Sequence, residues 1–272
     1  DAKEQAGIDG AVALARESDV TIMVLGGNEK TVREEYSRTS LDLCGRQEIL
    51  LQAVHAVGKP VILLMIDGRA STINWAERYV PGMVHAWFPG EFMGDAIAQV
   101  LFGDYNPGGK LAVTFPRSVG QIPFAFPFKP GSDSKGFVRV TGSLYPFGYG
   151  LSYTTFAYRD LEIDNPVIGI QGSVKLSCKV KNTGKVAGDE VVQLYLCDEV
   201  SSVTTYVKVL CGFERIHLRP GEEKEVSFIL TPQELGLWNK DNHFVVEPGT
   251  FSVMIGSSSE DIRLQGMFDV RS

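Results

Sequence analysis

The sequence has no cluster of basic residues and no long apolar run. Its 26 lysines and arginines are outnumbered by 33 aspartates and glutamates, which gives a formal net charge of −7. Binding to a phosphate backbone depends on clustered positive charge, so we expect no nucleic-acid partner. The longest strongly apolar run, Val61–Ile66, is far too short to cross a bilayer, so we expect no membrane partner either.

A secretory signal peptide is also missing, because the chain opens on the charged and polar segment DAKEQAGID. A mature secreted protein would begin in the same way. The location therefore stays open, with a secreted or periplasmic one favoured over a cytoplasmic one.

Motifs for metals, cofactors and nucleotides are absent. The four cysteines form no CxxC pair, so we expect free thiols and neither metal binding nor redox chemistry. The sequence contains no GxxxxGK[ST], no GxGxxG after a strand and no GxSxG. Four histidines are scattered without ligand spacing and are expected to be structural or solvated: His55, His85, His217 and His243. We therefore expect no cofactor and no metal.

The first part of the chain alternates helix and strand. Apolar strands are predicted at residues 20–25, 61–66, 83–88 and 110–115, with helical segments between them. Continuous apolar strands separated by helices are typical of a parallel sheet covered on both faces, so residues 1–125 are predicted to form an α/β sandwich. Four strands make a thin sheet, and the first helix has no strand before it, so we expect this domain to be truncated at its N-terminal side. An apolar strip should then be exposed at the strand edge.

The second part has the pattern of an all-β domain. From residue 151 to residue 272, short alternating strands are separated by turn signals such as NTGK and RPGEE, which predicts an antiparallel, immunoglobulin-like β-sandwich. Residues 126–150 connect the two parts and are rich in proline, glycine and aromatic residues. Flexible linkers lack such aromatics, so this connecting segment is expected to pack along a surface.

An acidic loop follows the first predicted strand. It carries Glu29, Glu34 and Glu35. Open α/β sheets bind ligands beyond the carboxyl ends of their strands, so these carboxylates are candidates for a functional site. The alternative is a hydrated surface loop, which position alone favours, because loops are usually exposed and polar.

Several strings resemble one enzyme family. EEYSRTSLDLCGRQEILL is similar to the segment ExxDRxxLxLPxxQxxLI of family 3 glycoside hydrolases, the β-glucosidase and β-xylosidase group. HAWFPGEFMGDAIAQVLFGDYNPGGKLAVTFPRS and LYPFGYGLSYTTFAY continue the resemblance. KVKNTGKVAGDEVVQLYL and VKVLCGFERIHLRPGEEKEVSF resemble the fibronectin type III-like domain of the family. The resemblance covers nearly the whole chain.

The resemblance implies a function and a missing partner. Family members begin with a (β/α)8 barrel that carries an aspartate nucleophile, and nothing in this sequence corresponds to it. The chain thus resembles the carboxyl-terminal part of a retaining, exo-acting β-glycosidase that removes terminal β-glucosyl or β-xylosyl residues. Its implied partners are a β-linked oligosaccharide or glycoside substrate and an N-terminal barrel, in the same or a separate chain. Alone, the chain is expected to be inactive.

The resemblance also assigns the general acid/base. Aligned on Arg38, the glutamate of the family motif is Glu34, and Glu35 is the second candidate, at a position that is often small in relatives. Glu34 would protonate the leaving group and then activate water, while the nucleophile comes from the barrel. The chain departs from the family pattern at Ser37, at Cys44, and at Glu91 with Phe92.

Two other function classes stay open. One is a non-catalytic carbohydrate-binding or scaffolding module derived from such an enzyme, and the other is a degenerate enzyme that survives as a partner protein. Under the first, exposed rings would stack on sugars, although aromatic residues mostly serve burial and core packing is favoured for them. The candidates are Trp75, Trp87, Phe126, Phe128 and Tyr145.

Overall fold

A computed structural model describes residues 2–35, 37–132 and 140–272. Residues 133–139 of the predicted connecting segment and Tyr36 of the acidic loop lie outside the described residues. The chain divides into two compact units. The α/β unit comprises residues 1–99 and 115–122, and the β-rich unit comprises residues 100–114 and 123–272. The predicted domain limits at residues 125 and 150 stay a prediction.

A parallel sheet organises the α/β unit. The strands lie side by side in the order β1-β2-β3, with both pairs parallel. This confirms the predicted α/β fold. The elements are α1 (Ala2–Glu17), β1 (Thr21–Gly26), α2 (Gln47–His55), β2 (Val61–Ile66), α3 (Asn74–Tyr79), β3 (Gly82–His85) and α4 (Met93–Phe102), followed by a 3-10 turn at Val119–Gln121. The boundary between the units falls within α4.

The predicted fourth strand at residues 110–115 is wrong. Residues 110–114 belong to the β-rich unit, where the Leu111 N–H donates to the Tyr149 carbonyl at 2.8 Å and the Gly148 N–H donates to the Leu111 carbonyl at 2.7 Å. Apolar alternation indicates an extended chain but does not select the backbone with which it pairs. The third strand is also shorter than the predicted 83–88, because Trp87 has a left-handed φ of 55° that turns the chain away.

One face of β1 is uncovered. Met23 and Leu25 are buried, whereas the alternate residues Ile22 and Val24 are 39% and 57% exposed. Successive side chains of a strand point to opposite faces, so the exposed pair lies on one side of the sheet. Within the described residues β1 is also an edge strand, because it pairs with β2 alone. Exposed apolar side chains therefore lie on the edge strand, where the apolar strip is predicted.

The β-rich unit is a sandwich of a five-stranded sheet, in the order β5-β13-β12-β7-β8, and a three-stranded sheet, β4-β6-β9. Side chains from both sheets form one core, as predicted for an immunoglobulin-like sandwich. Its strands are β4 (Phe156–Ile163), β5 (Val167–Gly169), β6 (Val174–Asn182), β7 (Gly188–Asp198), β8 (Val209–Leu218), β9 (Glu223–Leu230), the hairpin β10 (Leu237–Trp238) and β11 (Phe244–Val245), β12 (Gly249–Gly256) and β13 (Ile262–Arg271), with helix α5 at Pro232–Leu235.

Strand β6 shows why the sequence pattern predicts this core. Val174, Leu176, Cys178 and Val180 alternate with exposed or half-buried polar residues and are all buried. Burial raises the pKa of the Cys178 thiol to about 11. All four cysteines are free thiols, as expected.

Asn106 ties the FGDYNPGGKL string to the β-rich unit. Its Nδ2 donates to the Ala187 carbonyl at 2.9 Å, while its Oδ1 accepts from Ser152 Oγ at 3.0 Å and from the Tyr153 N–H at 2.7 Å. A Cβ on Gly188 would lie 2.4 Å from Asn106 Nδ2, so this approach requires glycine. One side chain therefore joins three segments of the chain.

The described part of the connecting segment packs on the same unit. The Phe126 ring stacks on Phe147 with centroids 4.8 Å apart and meets Tyr195 edge-on at 5.6 Å. The Val207 N–H donates to the Phe128 carbonyl at 2.8 Å. These contacts agree with the expectation that the segment lies along a surface.

Candidate functional site

The acidic loop leaves β1 at a fixed point. The Gly26 N–H donates to Gln47 Oε1 at 2.7 Å, and Gln47 Nε2 donates back to the Gly26 carbonyl at 2.9 Å. Gly26 has a φ of 132°, and a Cβ there would lie 2.1 Å from the Ile66 carbonyl oxygen. Only glycine fits this position, so the loop starts with its direction set.

A tight turn follows. The N–H groups of Thr31 and Val32 both donate to the Asn28 carbonyl, at 2.9 and 2.8 Å, and the Lys30 N–H donates to Asn28 Oδ1 at 2.9 Å. The Asn28 N–H donates in turn to Thr31 Oγ1 at 2.9 Å. Asparagine favours such turns because its side chain binds the backbone two residues on. The turn presents Val32 to the sheet.

Val32 packs where two glycines leave room for it. A Cβ on Gly27 would lie 2.1 Å from Val32 Cγ2, and a Cβ on Gly68 would lie 2.9 Å from Val32 Cγ1. Gly27 follows β1 and Gly68 follows β2. The valine therefore fixes the loop against the chain that leaves the neighbouring strand.

The predicted catalytic residues come next. Glu34 and Glu35 are both exposed, as is Glu29 before the turn. Within the described part of the chain, neither the Glu34 nor the Glu35 carboxylate has a hydrogen-bonding or ion-pair partner. Glu35 has a φ of 63°, in the left-handed region that residues other than glycine and asparagine rarely adopt. The loop thus carries two unpaired carboxylates beside the carboxyl end of β1.

The loop is fixed again at Asp42. Asp42 Oδ1 accepts a short hydrogen bond from Thr72 Oγ1, and Oδ2 accepts one from Ser40 Oγ at 2.7 Å. Arg38 Nη2 donates to the Asp42 carbonyl, and the Thr72 N–H donates to the Leu41 carbonyl at 3.0 Å. The bond from Thr72, then that from Ser40, and the Arg38 charge lower the pKa of Asp42 against a smaller effect of burial. The carboxylate is therefore held ionised.

Buried polar groups end the two neighbouring strands. Asp67, directly after β2, is 1% exposed and accepts from Ser71 Oγ at 2.7 Å, whereas its Oδ1 has no hydrogen-bond partner among the described residues. His85, the last residue of β3, packs against Trp87 and Phe115 with ring centroids 4.3 and 5.2 Å away. Burial lowers the pKa of His85, and Asp67 opposes this change.

The loop, Asp67 and His85 share one edge of the sheet, because the three strands are parallel and each residue follows or ends a strand. An exposed carboxyl there is suited to proton transfer with a bound molecule. In the described ranges, no three His, Cys, Asp or Glu side chains are grouped so that they would hold a metal ion. None of the described helices has the length and apolar character needed to cross a membrane.

The aromatic candidates for sugar stacking all pack against another ring of their own unit. The centroid distances are 5.0 Å for Trp75 and Tyr79, 4.3 Å for Trp87 and His85, 4.8 Å for Phe126 and Phe147, 5.1 Å for Phe128 and Phe124, and 5.1 Å for Tyr145 and Tyr149. This favours the packing interpretation of these side chains.

Three residues of this edge were not singled out from the sequence: Asp42, Asp67 and Thr72. A signal existed for Asp67, since a charged residue directly after an apolar strand lies at the carboxyl edge of a parallel sheet. Asp42 and Thr72 are 30 residues apart, and their contact depends on how the two loops fold.

Comparison with known proteins identifies the family. The model of the glycosyl hydrolase family 3 C-terminal domain matches residues 1–153, and that of the fibronectin type III-like domain matches residues 190–259. A β-xylosidase of Formosa agariphila is 46% identical over 96% of this chain, and a periplasmic β-glucosidase of Salmonella typhimurium is 42% identical over 98%. The chain spans 36% of the length of each of these relatives.

Solved structures agree with these matches. A β-glucosidase from Erythrobacter marinus superposes with a TM-score of 0.95 at 39% identity, over 99% of this chain and 37% of that one. A β-glucosidase from Listeria innocua, in complex with glucose, superposes with a TM-score of 0.90 at 31% identity, over 97% of this chain and 38% of that one. The resemblance found in the sequence is thereby confirmed, and the chain belongs to glycoside hydrolase family 3, with the C-terminal domain of that family followed by a fibronectin type III-like domain.

Proposed function

We propose that this chain is the carboxyl-terminal part of a retaining, exo-acting β-glycosidase that hydrolyses terminal β-glucosyl or β-xylosyl residues. The relatives that support this are named β-xylosidase and β-glucosidase and match nearly the whole chain. The observation that carries the proposal is an exposed Glu34, without a hydrogen-bonding or ion-pair partner among the described residues, at the carboxyl edge of the sheet of a family 3 chain.

Glu34 acts as the general acid and then as the general base. An alkoxide is a poor leaving group and needs a proton in the transition state, while the anomeric carbon needs a carboxylate to capture its positive charge. A retaining enzyme places these two carboxyl groups about 5–5.5 Å apart. Glu34 supplies the first of them, and its exposure leaves it accessible to a sugar bound at this edge.

The backbone favours Glu34 over Glu35. A left-handed residue with a Cβ is disfavoured by roughly 1–2 kcal/mol, and glycine avoids this penalty. Glu35, with its φ of 63°, therefore occupies a position suited to glycine, the smallest residue. Glu34 has no such constraint, which supports the choice made by alignment on Arg38.

The nucleophile comes from an N-terminal barrel, in the same polypeptide or in a separate chain. The 36% coverage of the relatives supports such a partner, because most of their length lies outside the part that this chain matches. We also propose a secreted or periplasmic location, for which the relative named periplasmic β-glucosidase is the support.

Activity of the complete protein tests the proposal. Aryl β-glucosides and β-xylosides should be hydrolysed, and NMR of the first product should show the β-anomer, as retention requires. The isolated chain of 272 residues should give no turnover on the same substrates. A complete protein that is folded but inactive on both, or one that releases the α-anomer first, contradicts the proposal.

A non-catalytic carbohydrate-binding module has no observation in its favour. Each ring proposed for sugar stacking packs on a neighbouring ring. A sugar would have to displace such a contact, or use only the free face of a half-covered ring.

A further inference from the structure

The acidic loop is fixed at two points and carries its glutamates between them. At the first point Val32 packs over Gly27 and Gly68. At the second point Asp42 accepts the hydrogen bond from Thr72. Both points lie against the chain that leaves β2, residues 67–72, and Glu34 lies within the stretch 33–41 between them.

Four hydrogen bonds hold the second point, so it is more than a single surface contact. Both carboxylate oxygens of Asp42 are occupied, by the hydroxyls of Thr72 and Ser40. Its carbonyl accepts from Arg38, so the chain between residues 38 and 42 is closed on itself. Thr72 also binds through its backbone, to the Leu41 carbonyl at 3.0 Å. Hydrogen bonds to a charged group are about twice as strong as those between neutral groups.

We propose that Asp42 and Thr72 are positioning residues, which fix the C-terminal end of the acidic loop and thereby set the reach of the Glu34 carboxyl toward the glycosidic oxygen. This inference rests on the proposed function of Glu34. Proton transfer requires a heavy-atom distance of about 2.6–3.2 Å, so the position of the acid matters as much as its identity. A loop fixed at one end alone would sample many positions outside this range.

The lowered pKa of Asp42 supports this role, because the carboxylate stays charged while the enzyme works. Neither Asp42 nor Thr72 needs to touch the sugar. They affect the reaction by setting the position of Glu34. Their loss should therefore slow the substrates that need protonation of the leaving group.

The test uses Thr72→Val in the complete enzyme. Valine keeps the shape of threonine but removes the hydroxyl that binds Asp42. We expect kcat/KM to fall by about 10- to 100-fold on glycosides with poor leaving groups, the effect of displacing a catalytic group by roughly 1 Å. For dinitrophenyl glycosides, which need little protonation, kcat/KM should change less than about twofold. Thr72→Ser keeps a hydroxyl and should restore both values.

A matched control is Thr155→Val in the β-rich unit. It removes a hydroxyl that lies 2.9 Å from Thr183 Oγ1, so it deletes a threonine hydroxyl hydrogen bond, here between neutral groups, without touching the acidic loop. Both substrate classes should be hydrolysed at the wild-type rate. Thermal unfolding of each variant shows that the protein is folded, so a change in rate is read on folded enzyme alone.

Three outcomes overturn the inference. In the first, kcat/KM of folded Thr72→Val falls equally on both substrate classes, which indicates a general structural effect. In the second, kcat/KM falls on neither class, which is the result expected of Thr155→Val. In the third, Glu34→Ala itself spares glycosides with poor leaving groups, so the proposed function fails and the inference with it. The first two outcomes leave the function of Glu34 intact, so failure of the inference can be told from failure of the proposed function.

Discussion

Gln47 and Gly26 exchange two hydrogen bonds, and the side chain of Gln47 thereby takes the place of a neighbouring strand for one residue of β1. The Gly26 N–H donates to Gln47 Oε1 at 2.7 Å, and Gln47 Nε2 donates to the Gly26 carbonyl at 2.9 Å. The first residue of α2 is in this way bound to the last residue of β1. These bonds hold together the two ends of the loop that joins β1 to α2.

We therefore expect Gln47→Leu to destabilise the chain. It leaves a partly buried N–H and carbonyl without partners, which costs about 1–3 kcal/mol for each buried group left unsatisfied. Urea unfolding followed by circular dichroism measures the loss. Gln52→Leu on the same helix is the control, since the Gln52 side chain donates to Glu48 Oε1 at 2.9 Å, a pair worth a few tenths of a kcal/mol. Equal losses in the two variants contradict this account.

Glu35→Gly should stabilise the loop. Its φ of 63° disfavours any residue with a Cβ, so glycine removes roughly 1 kcal/mol of strain, partly offset by the greater freedom of glycine in the unfolded chain. Activity of the complete enzyme should stay within about twofold of wild type, because general acid–base catalysis is assigned to Glu34. Glu35→Ala keeps the Cβ and should show no gain in unfolding free energy. A gain for alanine equal to that for glycine disproves the strain argument.

The exposed face of β1 predicts association of the isolated chain. Val24 is 57% exposed beside Ile22, on the strand that ends the described sheet. Such an edge invites pairing with another chain. The isolated chain should bind a hydrophobic dye and self-associate at high concentration, as seen by light scattering, and Val24→Lys should reduce both. A monomer that binds no dye at high concentration contradicts this prediction.

Asp189 should make the β-rich unit sensitive to acid. Partial burial acts to raise the pKa of Asp189, but hydrogen bonds from His217 and Arg215, at 2.7 Å each, outweigh it and lower the pKa overall. A lowered folded-state pKa gives stability that is complete above the unfolded value of about 3.9 and is lost as pH falls through the folded one.

The measurement is the unfolding free energy of wild type and Asp189→Asn from about pH 3 to about pH 7, a range that includes the unfolded pKa of an aspartate. Wild type should be more stable near neutrality, and the difference should shrink below about pH 4. Asp241→Asn, in the exposed turn between β10 and β11, should leave the curve unchanged. A difference between wild type and Asp189→Asn that grows as pH falls has the opposite sign and refutes the assignment.

The sequence predicts most of the fold because burial leaves a clear pattern. Val61–Ile66 is a strand with the predicted limits, since a run of six apolar residues between polar turns has few other solutions. The alternation through Cys178 predicts the buried face of β6 for the same reason. The segment 110–115 has a similar pattern but pairs with residues 148 and 149, because a periodic pattern does not name its partner.

The site is predicted less completely. The loop with Glu34 follows from its place after a strand and from the resemblance to family 3. The left-handed backbone of Glu35 and the bond between Thr72 and Asp42 do not follow, because both depend on how two loops fold against each other. A sequence pattern gives no information about a contact between side chains 30 residues apart.

Glu34→Ala in the complete enzyme tests the assignment of the general acid/base. Removing the carboxyl removes proton donation but leaves the barrel nucleophile in place. Disaccharides need the proton most, so their kcat/KM should fall by about 10²–10⁴-fold, the usual share of general acid–base catalysis. For dinitrophenyl glycosides kcat/KM should be nearly unchanged. Their kcat should fall, because the same residue activates the water that releases the covalent intermediate.

Azide separates Glu34 from Glu35. A small anion needs no general base, so it should attack the intermediate of the Glu34→Ala enzyme, raise kcat on dinitrophenyl glycosides and yield a β-configured glycosyl azide. Glu35→Ala is the matched control and should show neither the loss nor the azide product. Rescue of Glu35→Ala in place of Glu34→Ala shifts the assignment by one residue. Rescue of neither variant means that the proton donor is neither Glu34 nor Glu35, because retention requires an acid/base whose removal an external nucleophile bypasses.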